Sequence, residues 1–150
     1  MAQPQDSHVA HFNWGLLRGD PGDAVVQPFF DAVDRVNAIA ERSPGFIWRH
    51  GDEDGAARQA GWPLFTAHPR MIASFSVWET TDHFRHFVYT TLHGRFFKRR
   101  DEWFAPGGGP SYVLWWVPKG HIPSIKEAWS HVDDLTANGP GETSFLLPPA

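Results

Sequence analysis

Most of the tryptophans in this chain fall in short, alternating runs that read as strands, and they occupy both sides of those strands. A sheet built this way has no face that tolerates water, so both of its faces must be covered. Eight Trp, twelve Phe and two Tyr make up 15% of the chain, more than a small core needs for filling. The surplus has two uses: an interface between subunits, or the lining of a pocket for a flat, apolar ligand. Composition alone favours the interface.

Residues 9–17 alternate with period two, setting Phe12, Trp14 and Leu16 on one side and His11 and Asn13 on the other. After a turn at residues 18–23, Phe29, Val33, Val36 and Ala40 recur at helical spacing as far as Arg42, where Ser43-Pro44-Gly45 stops the pattern. Phe46–Arg49 reads as a second strand. Residues 50–70 begin acidic and Gly-rich and then carry Trp62-Pro63-Leu64-Phe65, which suggests a flap packed back on the body. Met71 to Trp78 is a third strand, with Met71, Ala73, Phe75 and Val77 on one side and Ser74, Ser76 and Trp78 on the other. A second long helix is expected from about Thr81 to Phe104, ended by the Gly and Pro run at 105–110. Tyr112–Val117 is a fourth strand. Ser124 caps a last helix from Ile125 to about Ala137.

The order β-α-β-β-α-β with an extra C-terminal helix is that of an α+β, ferredoxin-like antiparallel sheet with two helices on one face. The other face is then expected to pack against a second copy, giving a C2 homodimer in which two sheets close a dimeric α/β barrel. The domain is expected to span 9–138, with 1–8 a disordered N-terminus and 139–150 a tail or short edge strand.

Composition excludes several functions. There is no cysteine, which removes thiol nucleophiles, thiolate metal sites and disulfides. The formal net charge is -4, and the one dense basic run, Lys98-Arg99-Arg100, is followed at once by Asp101-Glu102. Nucleic-acid binding is therefore not expected. No apolar stretch is long enough to span a membrane, and no charged segment precedes an apolar run at the start, so a cytoplasmic protein is expected.

Phe12-Asn13-Trp14-Gly15, Arg42-Ser43-Pro44-Gly45-Phe46-Ile47-Trp48-Arg49, Ser76-Val77-Trp78-Glu79, Phe87-Val88-Tyr89 with His93, Arg99 to Phe104, and Leu114-Trp115-Trp116-Val117-Pro118 with Gly120-His121-Ile122-Pro123 occur in that order. Together they resemble a bacterial domain-of-unknown-function family grouped with the dimeric α/β barrels, the superfamily of the antibiotic-biosynthesis monooxygenases. The resemblance covers about residues 9 to 138. It implies dimerisation, a ligand held between sheet and helices, and one of several chemistries: cofactor-free oxygenation of aromatic polyketides, haem-dependent reactions, or small isomerisations.

On the expected second helix, Tyr89, His93 and Arg100 form one stripe at the edge of the apolar arc of Phe84, Val88, Leu92, Phe96 and Trp103. A histidine so placed suits a general base or an axial haem ligand. His93, Tyr89 and Arg100 are thus the expected catalytic residues, with Asn13, Trp14, Trp48, Trp78, Phe96, Trp103 and Trp116 lining the substrate pocket. For each single Trp, core or interface is the competing role. His83-x-x-His86 lacks a third ligand of obvious spacing, so no metal is expected. There is no Ser-His-Asp order, paired-carboxylate site or G-x-S-x-G elbow to support a hydrolase. The function expected is a dimeric oxidoreductase, a cofactor-independent monooxygenase, or a cyclase or isomerase of an aromatic substrate. Haem binding through His93 and a non-catalytic binding module are the alternatives.

Overall fold

A computed structural model describes residues 2–90, 95, 98–106 and 111–148. Four strands, β1 (Ser7–Leu16), β2 (Phe46–Arg49), β3 (Met71–Trp78) and β4 (Tyr112–Pro118), form one antiparallel sheet in the order β2-β3-β1-β4. β1 and β2 run parallel with β3 between them, and β3 and β4 with β1 between them. The described helices are α1 (Gln27–Arg42), α2 (Glu53–Gln59), α3 (Pro63–Thr66), α4 (Thr81–Thr90), α5 (Arg100–Trp103) and α6 (Ile125–Asn138). Among the described residues, no helix is long and apolar enough to cross a membrane.

The register fixes which side chains share a face, because directly opposed residues point the same way. Phe12 pairs with Phe75 on one side and Val113 on the other, and Ala10 with Val77 and Trp115. Apart from His8 at the start of β1, which stands opposite Val117, this face is apolar, and its residues join Trp62, Phe65 and Ala57 of the 50–70 segment and Ile125, Ala128, Val132 and Leu135 of α6 in one core. The opposite face, with Val9, Trp78 and Leu114, packs under Val36 and Ala40 of α1 and Phe84, Phe87 and Val88 of α4.

Both faces are therefore covered within one chain. The expected sheet-to-sheet dimer assumed helices on one face only, and that premise fails: Phe75 and Trp115 are 0% and 1% exposed beneath α2, α3 and α6. The last helix and the 50–70 flap together hide the face that was assigned to a second copy. The flap is also folded: α2 and α3 are joined through Trp62, whose N–H bonds Ala57 O at 3.1 Å. The Arg58 guanidinium ties it down by donating to the carbonyls of His68, Pro69 and Met71 at 3.3, 3.0 and 2.8 Å.

Two boundaries differ from expectation. The single helix expected over 81–104 is not continuous: Arg99 lies in a turn, and Arg100–Trp103 forms a separate short helix. The first strand begins at Ser7, inside the segment expected to be disordered. Gln3 ties that segment down by donating to the carbonyls of Ser7 and Glu79 at 3.0 and 2.8 Å.

Candidate functional site

The two sheet faces differ in chemistry. Against the face under α2, α3 and α6, apolar but for His8, the face toward α1 and α4 carries His11, Asn13, Ser74, Ser76 and Tyr112 among its apolar residues. Burial deepens along this polar track: Ser74 is exposed, Asn13 and Tyr112 are half-buried, and Ser76 and His11 are buried. Each buried polar group on this track must be hydrogen-bonded to offset its desolvation.

At the deep end, His11 and Ser76 are direct partners across β1 and β3. His11 Nδ1 lies 3.3 Å from Ser76 Oγ, and the Trp78 indole N–H donates to the same oxygen at 3.0 Å. The indole occupies one lone pair of the hydroxyl, so His11 is met by the other lone pair or by the hydroxyl proton. The Phe84 ring of α4 lies 4.3 Å from the imidazole, centroid to centroid. At the outer end, Asn13 Oδ1 accepts the Ser74 N–H at 3.1 Å. The Tyr112 hydroxyl accepts the Leu147 N–H at 3.0 Å. Burial pushes the Tyr112 phenol above its ordinary pKa, opposed in part by that hydrogen bond, so it is a neutral hydrogen-bonding group. On the same face the Trp116 indole N–H is buried with no hydrogen-bond partner among the described residues.

The residues expected to act fall in different places. Asn13, Trp78 and Trp116 are on the polar face with His11. Trp14 and Trp48 pack against the opposite core, and Trp103 is buried with Leu17, Val26 and Phe29 in a third cluster at the end of the sheet. These aromatics therefore do not converge on one pocket. Tyr89 is 50% exposed on α4, and Arg100 is exposed on the separate α5, so the helix that was to align them is interrupted. His93 and Phe96 lie outside the described residues, and with His93 the expected haem ligand. A hollow of about 440 Å3, edged by Gln3, Ser7, His8, Glu79 and Lys119, holds none of the expected residues. A smaller one of about 270 Å3 touches Trp116.

His11 and Ser76 are not among the residues expected to act. Their signal in the sequence is the polar side of two strands whose other side is mostly apolar, a contrast that needs pairing to bring the two together.

A second polar group crosses the other face. His131 of α6 stacks on Trp115 at 4.5 Å between ring centroids, and its Nδ1 lies 2.8 Å from Ser144 Oγ. Ser144 also bonds the Asp134 side chain, holding that carboxyl below its ordinary pKa. Serine, histidine and aspartate do meet here, but Ser144 is fully buried and bridges the two other side chains, so the group clasps the tail to α6. Among the described residues, no three His, Cys, Asp or Glu side chains gather as a metal-holding group.

No curated protein and no solved structure matches the chain. The family model described as a domain of unknown function, DUF3291, matches residues 8–148, from the second residue of β1 to the end of the described tail. It takes in both the polar track and the helices that cover the two faces, and by that match the chain belongs to the DUF3291 family.

Proposed function

We propose that this chain is a small enzyme that holds a flat, largely apolar aromatic molecule on the α1/α4 side of its sheet and moves a proton from it, with His11 as the base. The observation that carries this reading is the buried His11–Ser76 pair, set between the Phe84 and Trp78 rings in a sheet whose other face is apolar but for His8. Aromatic rings suit a flat substrate, Ser76 fixes the imidazole, and an imidazole so held can serve as a general base.

The β2-β3-β1-β4 order, in which each crossover skips one strand, supports a ferredoxin-like layout. That layout agrees with the resemblance to the antibiotic-biosynthesis monooxygenases. In a cofactor-independent oxygenation, an anthrone-type CH2 loses a proton to the His11 imidazole and the resulting carbanion gives its electrons to dioxygen. The balance is anthrone plus O2 to anthraquinone plus water: one oxygen atom enters the ring carbonyl, and the other leaves with the two hydrogens. A cyclase or isomerase would use the same proton transfer and return the proton to another carbon.

Oxygen uptake with anthrone tests the reading. The wild type is expected to exceed the buffer rate, and His11→Ala to lower its rate by about 10²-fold or more, the usual contribution of a positioned base. Ser76→Ala, which frees the imidazole to turn, is expected to lower kcat less and to shift the pH profile. A rate equal to buffer, or one untouched by His11→Ala but lost in His93→Ala, would overturn His11 as the base. A Soret band on adding hemin would turn the reading toward haem binding.

A further inference from the structure

The tail after α6 wraps around the edge of the sheet. Its root is clamped on the α6 side, where Ser144, 0% exposed, meets His131 and Asp134. Phe145 then exchanges two backbone hydrogen bonds with Leu114, at 2.8 and 2.9 Å, on the outer edge of β4. Past that point Leu146 packs against the core on the α6 side, Leu147 packs against the cluster on the α1/α4 side, and two hydrogen bonds hold the chain there. Leu147 N–H donates to the Tyr112 hydroxyl at 3.0 Å, and Arg85 of α4 donates to the Pro148 carbonyl at 2.6 Å.

The two ends of this segment are unequal. The root is buried, whereas residues 146–148 are held by one hydrogen bond each at Leu147 and Pro148, with Leu146 and Leu147 only half-buried against the two cores and Pro148 exposed. Segments held in this way open locally at a small fraction of the global unfolding free energy. The end also shares a residue with the polar track: the Tyr112 ring lies 6.4 Å from the His11 ring. A base as buried as His11, at 6% exposure, needs a wall that moves before a substrate reaches it.

We propose that residues 146–148 are a strap closing the side of the sheet that holds His11, fastened by Arg85 and Tyr112, and that its release admits the ligand. This rests on the reading of that face as a ligand site. When the strap lifts, the Tyr112 oxygen exchanges the Leu147 N–H for a donor on the ligand, so closure and occupancy compete for one phenol. Because the root stays clamped at Ser144, the strap pivots and does not unravel the core.

The test follows association of 1,8-dihydroxyanthraquinone by stopped-flow quenching of tryptophan fluorescence, alongside hydrogen exchange at the Leu147 amide. Arg85→Gln is expected to speed association about tenfold, the equivalent of one lost charge-assisted hydrogen bond, and to speed exchange at Leu147 while Tm stays nearly constant. A chain ending at Leu146, which keeps the Phe145 bridge, is expected to bind at least as fast. Quinone binding to the wild type with the same association rate in both variants would overturn the strap and leave the ligand site standing. Binding by the shortened chain alone would support the strap. Absence of binding in every chain would overturn both.

Discussion

Glu53 Oε2 accepts the backbone N–H of Phe75 at 3.2 Å, just where β2 has ended and β3 would otherwise present an unpaired edge. Asp54 Oδ1 does the same for Ala73 at 2.6 Å. Two side chains of α2 thus continue the ladder that the four-residue β2 leaves unfinished, and they pin the covering segment to the sheet. Burial pushes the Glu53 carboxyl up to about 7, with the neighbouring Asp54 adding to the rise. A folded-state pKa above the unfolded one gives stability that is full below about pH 4.5 and is lost as pH rises through 7. Glu53→Gln, which keeps the acceptor and removes the charge, is expected to match the wild type near pH 5 and to exceed it by about 1–2 kcal/mol at pH 8. Urea unfolding at the two pH values checks this; a Gln variant weaker at pH 8 would show that the charge strengthens the clasp.

The cover over the second face makes a prediction about mass. Phe75 and Trp115 lie under α2, α3 and α6, out of reach of a second chain. Light scattering at micromolar concentration is expected to give a mass near 16.9 kDa. Twice that value would locate association on some surface other than the sheet. Trp62→Ala, which removes a ring stacked on Trp129 at 5.6 Å and on Phe12 at 5.3 Å, is expected to cost about 3–5 kcal/mol.

Gly45 stands at φ +82°, and a Cβ there would strike the His83 ring of α4. Its carbonyl also accepts the Glu79 N–H at 2.7 Å, joining the start of β2 to the end of β3. Gly45→Ala is expected to destabilise by about 2–3 kcal/mol, combining left-handed strain with the clash. Gly22→Ala, at φ +97° but in open space, should cost only the strain, about 1 kcal/mol. Thermal unfolding of the two variants separates these effects, and equal losses would rule out the His83 contact as a constraint.

Burial lowers the His131 pKa, so the ring is held neutral against Trp115. A depressed folded-state pKa gives stability that is present above about pH 6.5 and is lost as pH falls through the folded value. Ser144→Ala is expected to cost about 1–2 kcal/mol at pH 7.5, because it leaves His131 and Asp134 without their shared hydroxyl. The difference from the wild type should change as the solution is acidified toward pH 5. A Ser144→Ala loss that stays constant from pH 7.5 to 5 would separate the serine from the titration of His131.

Local pattern determined the strands and most of the helix ends. Period-two alternation marked Phe12, Trp14 and Leu16 as one side and His11 and Asn13 as the other, because pleating alternates side chains whatever the partner strand is. Ser43-Pro44-Gly45 ended α1 at Arg42, and Ser124 capped α6, its Oγ accepting the Glu127 N–H at 3.1 Å. The long-helix expectation over 81–104 failed because apolar spacing continues through a turn at Arg99 that no proline or glycine announces. Tertiary structure alone decided that the 50–70 segment and α6 lie on the same sheet face, since no local pattern encodes which face a covering element chooses. It also decided that His11 meets Ser76, a contact 65 residues apart in sequence that exists only through the β1–β3 register. The sequence by itself determined that both sheet faces are apolar enough to need cover. Only the packed chain decided that the cover comes from within, because burial depends on the summed surface of distant segments.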